Sequence, residues 1–262
     1  MTWNYKAYSE IDVTVPNKWN PELCVELRSG LVFDGAFAGL HPGTLRYVDG
    51  SGLGNDGTLT NMNSATDWVW VPELHQFGLA NFRTSGGYVD IPPNSQLGTA
   101  HSFACWVYIP ARFDTSGLIS SGAAAKNELR IGDRDLYLYD KAGGVVGLRI
   151  TIATWIHVGY TIDGVNAILY HQGIGTPKTM SAVVEANLFN RLGRVGAASI
   201  MAGGILVAPC LWNRVISSGE FGELASRKPL YVPDTRTRLF APLVTGWKPW
   251  LRQRQRHRLG AV

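Results

Sequence analysis

The chain is poor in charge, in cysteine and in long apolar runs, and each shortage removes a class of protein. Charged residues are 17% of 262, too few for long solvated helices. Cys24, Cys105 and Cys210 are odd in number and widely spaced, so a disulfide scaffold is not expected. Cys105 and Cys210 lie in apolar strand-like runs, where a thiol behaves as a small hydrophobe. No run approaches the ~18 apolar residues of a membrane span. The residues after Met1, MTWNYKAYSEIDV, are mixed and polar, unlike a secretory leader. The expectation is a chain made in a cytoplasm, without export and without a membrane partner.

Catalytic signatures are missing as well. There is no G-x-S-x-G and no H-E-x-x-H, and the run from Gly173 to Thr179 has the wrong spacing for a phosphate loop. The six histidines do not cluster. Asp133, Asp135 and Asp140 alternate imperfectly around Leu136 to Tyr139 and read as turn and edge carboxylates. No catalytic residue, metal or cofactor is expected, and the chain reads as non-enzymatic.

What is present is turn chemistry and alternation. Thirty glycines and thirteen prolines accompany 45% hydrophobic residues, a balance suited to an all-β protein. Phe103, Cys105, Val107 and Ile109 alternate with Ala104, Trp106 and Tyr108, the two-residue period of a strand. Tyr88 to Ile91 is a short strand stopped by Pro92 and Pro93. Leu148, Ile150 and Ile152 alternate with Arg149 and Thr151. Ile156, Val158, Tyr160 and Ile162 alternate with His157, Gly159, Thr161 and Asp163, and Asp163-Gly164 marks a hairpin. Trp106 and Val158 are placed on central strands, with Phe103, Val107, Ile156 and Ile162 in the core. One short helix is expected from Ser217 to Lys228, where Ser217 and Glu220 make a capping box and Phe221 and Leu224 an apolar stripe. The fold class is all-β, a two-sheet antiparallel sandwich with one short helix.

Several segments, in their order along the chain, resemble the LamG-like jelly rolls of the concanavalin A-like lectin/glucanase superfamily. They are Gly30-Leu-Val32, the turn Ser51-Gly-Leu-Gly-Asn-Asp-Gly-Thr-Leu-Thr-Asn61, Phe77 to Pro92, and Ser102-Phe-Ala-Cys-Trp-Val107. Trp155-Ile-His-Val158 with Tyr160 to Gly164 and Leu169-Tyr170 follows. Gly204-Ile-Leu-Val207 with Leu211-Trp-Asn-Arg-Val-Ile-Ser-Ser218 closes the series. The resemblance spans roughly residues 30–226 and implies a jelly-roll sandwich. It also implies glycan binding through loops at one edge, with Trp68, Trp70, Tyr137 and Tyr139 as aromatic material. A structural calcium of such relatives would draw on Asp49, Asn55 and Asp56 here, but the acid that completes their set is Leu206 in this chain. The glucanases' E-x-D-x-E strand has no counterpart. The histidine of their hairpin, His157 here, is expected to be structural. The turn from Gly57 to Trp70, GTLTNMNSATDWVW, is similar to phage-encoded members.

The ends differ from this body. Residues 1–28 form an arm with Trp3, Tyr5 and Trp19 and no clear period, and 29–228 the sandwich domain. Residues 229–262 form a basic extension with four prolines. From Arg227 onward nine Lys/Arg face Asp234 alone, a balance of +8 that leaves the rest of the chain with 15 basic and 19 acidic residues, or −4. Trp247 and Trp250 are expected as anchors and Arg252, Arg254, Arg256 and Arg258 as charge-assisted contacts to carboxylates or phosphates. The arginines alternate with glutamine rather than aromatics, so a protein partner is favoured over nucleic acid. The leading expectation is a non-enzymatic structural protein of a tailed-phage virion, a capsid decoration, minor capsid or tail component, homo-oligomeric and joined to other virion subunits by its extensions. The alternative is a glycan-binding adhesion module that recognises surface carbohydrate.

Overall fold

A computed structural model describes residues 27–226, apart from 37, 41, 75, 81, 83–85, 111–115, 122–126, 186–188, 196–198 and 201–203. Nearly all of the arm and the whole extension lie outside these residues, and with them Cys24, Trp247, Trp250, Arg252, Arg254, Arg256 and Arg258. Within them the strands are β1 (Leu31–Asp34), β2 (Arg46–Tyr47), β3 (Gly57–Thr60), β4 (Trp68–Val71), β5 (Gln76–Leu79), β6 (Tyr88–Asp90), β7 (Ala100–Tyr108), β8 (Ser116–Ser120) and β9 (Glu128–Gly132). They continue with β10 (Asp135–Tyr139), β11 (Val145–Arg149), β12 (Trp155–Asp163), β13 (Asn166–His171), β14 (Ile174–Thr179), β15 (Arg191–Leu192), β16 (Arg194–Val195), β17 (Ser199–Ile200) and β18 (Ile205–Trp212). One helix, α1 (Ser218–Ser226), follows.

Among the described residues these strands form a two-sheet antiparallel jelly-roll sandwich. The first sheet runs β14-β13-β12-β7-β18-β5-β4, with β1 also on β18, and the second runs β11-β10-β9-β8-β15-β6-β3-β2. The β16–β17 hairpin packs on β8. Alternation sets the layers. Phe103, Cys105 and Val107 of β7 meet Ile156, Val158, Tyr160 and Ile162 of β12 across a register running from Ala100↔Asp163 to Tyr108↔Trp155. All seven are buried against Leu118, Ile119, Leu129, Ile131, Leu136 and Leu138 of the second sheet. Fully burying each such side chain contributes about 1.5–3 kcal/mol, and this shared core fixes the register, because a one-residue slip would turn the whole set to the other face.

The outer face of the first sheet is closed by α1. Phe221 stacks on Tyr170 at 3.8 Å and approaches His157 edge-on at 5.5 Å. A β-carbon at Gly159 would overlap the Phe103 carbonyl and come within 2.7 Å of the Phe221 ring, so helix and sheet approach this closely because residue 159 lacks one. Ser217 Oγ accepts the Glu220 N–H at 3.2 Å and Glu220 Oε2 accepts the Ser217 N–H at 2.6 Å, the reciprocal cap expected from the sequence. Arg214 then holds the Glu220 carboxylate. His157, between Trp106 and Phe221, is buried, and burial pushes its imidazole down to about 3.

Two local readings shift. The strand expected through Leu148–Ile152 spans Val145–Arg149 instead; the alternation of burial continues to Ile150, but strand pairing stops at Asp135↔Arg149. The β12–β13 loop is Gly164–Val165, with Asp163 still paired to Asn166, since Gly164 takes the left-handed φ of +62° that the turn requires. Strand β14, at the edge of the first sheet, carries Pro177 within a continuous register against β13.

Candidate functional site

The glycine-rich turn after β2 is organised by its own backbone. Asp49 Oδ1 accepts the N–H groups of Asp34 and Ser51, both at 2.9 Å, and Oδ2 accepts Asn55 N–H at 3.0 Å and Ser51 Oγ–H at 2.6 Å. Asp56 Oδ1 accepts Asp49 N–H at 2.7 Å, and its other oxygen pairs with Arg46. Asn55 donates its side-chain amide to the Val32 carbonyl at 2.7 Å. The carboxylate oxygens considered for calcium, those of Asp49 and Asp56, thus face N–H and O–H donors. Among the described residues no group of three or more His, Cys, Asp or Glu is placed to hold a metal ion.

The aromatic candidates separate. Trp68 belongs to the core, stacked on Tyr47 at 5.7 Å and donating Nε1–H to the Thr44 carbonyl at 3.1 Å; it is not a ligand platform. Trp70 is 43% exposed and meets Phe77 edge-on. Tyr137 and Tyr139 stand together on the outer face of the second sheet, ring centroids 6.4 Å apart. This pair lies on a sheet face, whereas the resemblance pointed to loops at one edge.

The β9–β10 hairpin builds that face. Leu129, Ile131, Leu136 and Leu138 point into the core, so the period of two sends Glu128, Arg130, Tyr137 and Tyr139 outward. The register sets Tyr139 opposite Glu128 and Tyr137 opposite Arg130. On the other flank Tyr137 faces Gly147, where a β-carbon would sit 3.1 Å from the ring. One face of Tyr137 is therefore backed by bare main chain.

Arg130 ties the group together. Its guanidinium lies over the Tyr139 ring, 4.0 Å from the centroid, and Nη2 donates to the Tyr139 hydroxyl. Nη1 is 3.2 Å from Glu128 Oε1, with 22% of the Arg130 side chain exposed and none of Glu128. Among the described residues neither Glu128 oxygen accepts a hydrogen bond. Burial raises its carboxyl to about 7, with Arg130 pulling the other way. Of the three aspartates near this hairpin, Asp135 pairs with Arg149 at 3.1 Å and Asp133 with the same guanidinium at 3.9 Å. Asp140 is a buried knot: it accepts Ala142 and Gly144 N–H on Oδ1 and Ser181 Oγ–H and Ala182 N–H on Oδ2. Burial works to raise its carboxyl, but these donors outweigh it and hold the group below its usual range. The sequence offered the two tyrosines only among its general aromatic material, with no residue set standing out, and gave no sign of Glu128, Arg130 or Gly147.

The same face carries a second arrangement of this kind. Arg191 and Arg194 lie 5.0 and 5.2 Å from the centroid of Tyr88. Between the two groups the β16 backbone crosses β8, where the Arg194 carbonyl accepts Ser120 Oγ–H at 2.7 Å.

No protein-family profile and no curated protein matches the chain. Solved structures of the same fold do. Domain 4 of AbnA, a GH43 extracellular arabinanase from Geobacillus stearothermophilus solved with arabinotriose, matches 75% of this chain and 98% of that one, with a TM-score of 0.57 and 14% identity. The botulinum neurotoxin serotype D ligand-binding domain in complex with N-acetylneuraminic acid matches over 78% and 52%, with a TM-score of 0.56 and 13% identity. The binding domain of Paraclostridial Mosquitocidal Protein 1 matches over 76% and 52%, with a TM-score of 0.56 and 14% identity. The chain spans about half the length of these two toxin regions.

Proposed function

We propose that this chain is a non-catalytic, glycan-binding β-sandwich used for attachment. The observation that carries the reading is the outer face of the second sheet, where Tyr137 and Tyr139 offer ring faces beside the Arg130–Glu128 pair. Flat aromatic faces with a few placed polar groups are what a sugar ring, with its apolar faces and hydroxyl rim, requires of a site. Solved structures of like fold that were captured with arabinotriose and with N-acetylneuraminic acid support it.

Catalysis is disfavoured by spacing. On the register, Asp90 lies three strands from Glu128, and Asp135 lies four residues along β10 from Tyr139, which pairs with Glu128. Each separation is about 14 Å, against about 5–9.5 Å for the carboxylate pairs of glycosidases.

The test is a glycan array followed by calorimetry on the best ligand. Tyr137→Ala should lower affinity at least tenfold with the fold intact by circular dichroism. Undiminished binding in that variant would move the site elsewhere, and silence on every saccharide would remove the reading.

A second reading, a virion structural role with homo-oligomeric or other virion partners, draws on one observation, the separation of a +8 stretch beginning at Arg227 from a −4 remainder. The two are compatible if the module is displayed on a particle. Deleting residues 229–262 should then abolish incorporation, and high salt should weaken it; full incorporation of the truncated chain would sink it.

A further inference from the structure

On the β9–β10 face the anion is hidden and the cation is presented. Glu128 is fully buried, whereas Arg130 reaches solvent over the Tyr139 ring, on a strand whose register sets it opposite Tyr137. A ligand approaching this face meets the guanidinium, whose planar fork matches a carboxylate. Resting on the glycan-binding reading, we propose that Arg130 is the acidic-sugar subsite of this face, taking the carboxylate of a uronic- or sialic-type ring that stacks on Tyr137, and that Glu128 takes up a proton from solvent as the incoming carboxylate replaces it on Arg130.

The balance is one charge for one. Above pH 7 the free protein holds Glu128 as the counter-ion of Arg130; bound protein holds the sugar carboxylate there. A second anion beside the buried Glu128 carboxylate is unfavourable, so Glu128 becomes the neutral acid. Among the described residues, the strand register sets Arg130 on its own strand, Tyr139 on β10 and Ser120 on β8 beside Glu128, with Arg191 of β15 and the Arg194 main chain of β16 beyond Ser120. Of these, Glu128 is the group whose ionisation burial has moved toward neutrality. Its carboxyl already sits at about 7, so neutralising it asks little near neutrality.

The experiment compares trigalacturonic acid and N-acetylneuraminic acid with their neutral methyl esters by calorimetry, in two buffers of different ionisation heat, between pH 6 and 9. Sodium acetate at matched ionic strength serves as the bare-carboxylate probe. The acids should bind at least tenfold more tightly than the esters and far above acetate. Their affinity should be level below pH 7 and fall about tenfold per unit above it, with proton uptake near one above pH 7.

Glu128→Gln should keep the acid preference and lose the pH dependence. Glu128→Gln with Arg130→Gln, which leaves no buried charge unpaired, should lose the preference. Equal binding of acid and ester, a preference that survives the double variant, or acetate matching the sugars would overturn the proposal. So would a pH dependence unchanged in Glu128→Gln. Equal binding of acid and ester that still disappears in Tyr137→Ala would refute the acidic subsite and leave glycan binding standing, whereas no binding of any sugar would refute both.

Discussion

Replacing His157 with phenylalanine should change how stability responds to acid. His157 is buried on the outer face of the first sheet between Trp106 and Phe221, and among the described residues its Nδ1 has no hydrogen-bond partner. Burial depresses the imidazole to about 3 from an ordinary 6.5. The folded chain therefore refuses a proton that the unfolded chain accepts, so stability is complete above pH 6.5 and is lost as pH falls from there toward 3. The slope is about 1.4 kcal/mol per pH unit, and between pH 7.5 and 5 wild type loses about 2 kcal/mol from this residue. Phenylalanine keeps the ring contacts and cannot be protonated. Its slightly larger ring adds an offset of about 1–3 kcal/mol, the same at every pH, so it does not enter the comparison. His101, lowered to about 4, and Glu128, raised to about 7, remain in both proteins and cancel. Urea unfolding followed by tryptophan fluorescence at several pH values should show the stability difference, variant minus wild type, growing by about 2 kcal/mol over that interval. Parallel curves would refute the argument, since they would mean His157 is protonated within the fold.

Phe103→Ala should cost about 3–5 kcal/mol in urea midpoint experiments, because it empties a fully buried aromatic site between β7 and the core. Ser217→Ala removes the cap of α1 and should cost about 1 kcal/mol in thermal unfolding. EDTA should leave the melting temperature unchanged, since the Asp49 oxygens are engaged by turn donors; a clear drop would show a cation at work. Gly147→Val should displace Tyr137 and weaken glycan binding in calorimetry with little change in melting temperature, because β11 is a border strand and the Tyr137 ring is what a β-carbon there would crowd.

Much of the fold was legible because alternation is a direct record of two covered faces. β7 and β12 read correctly from the side chains alone, as did the cap at Ser217, since these depend on local spacing. The site was less so. Trp68 and Trp70 look alike in the sequence, and it is sheet pairing that sends Trp68 onto Tyr47 and leaves Trp70 at the margin. Glu128 and Arg130 escaped notice because ELRIG reads as an ordinary strand. What gives them meaning is the hairpin register, turning at Asp133 with its φ of +53°, which sets them against Tyr139 and Tyr137. That signal was present: a turn between two runs of period two aligns their outward residues. That Glu128 meets no hydrogen-bond donor among the described residues has no sequence counterpart, because it depends on the packing of strands distant in the chain.

Pro177 has a consequence for how copies of this chain meet. A strand at the border of a sheet offers a row of main-chain donors and acceptors to any passing strand. The β13–β14 ladder is continuous through Ile168↔Pro177, which places the absent N–H of the proline on the free side, as is usual for proline in border strands. Lys178 follows it immediately. That border is thus a poor template for strand addition, and crowding the molecule on a surface would not zip neighbours together along β14. Packing of copies against this border would have to use side chains, where specificity can be written residue by residue.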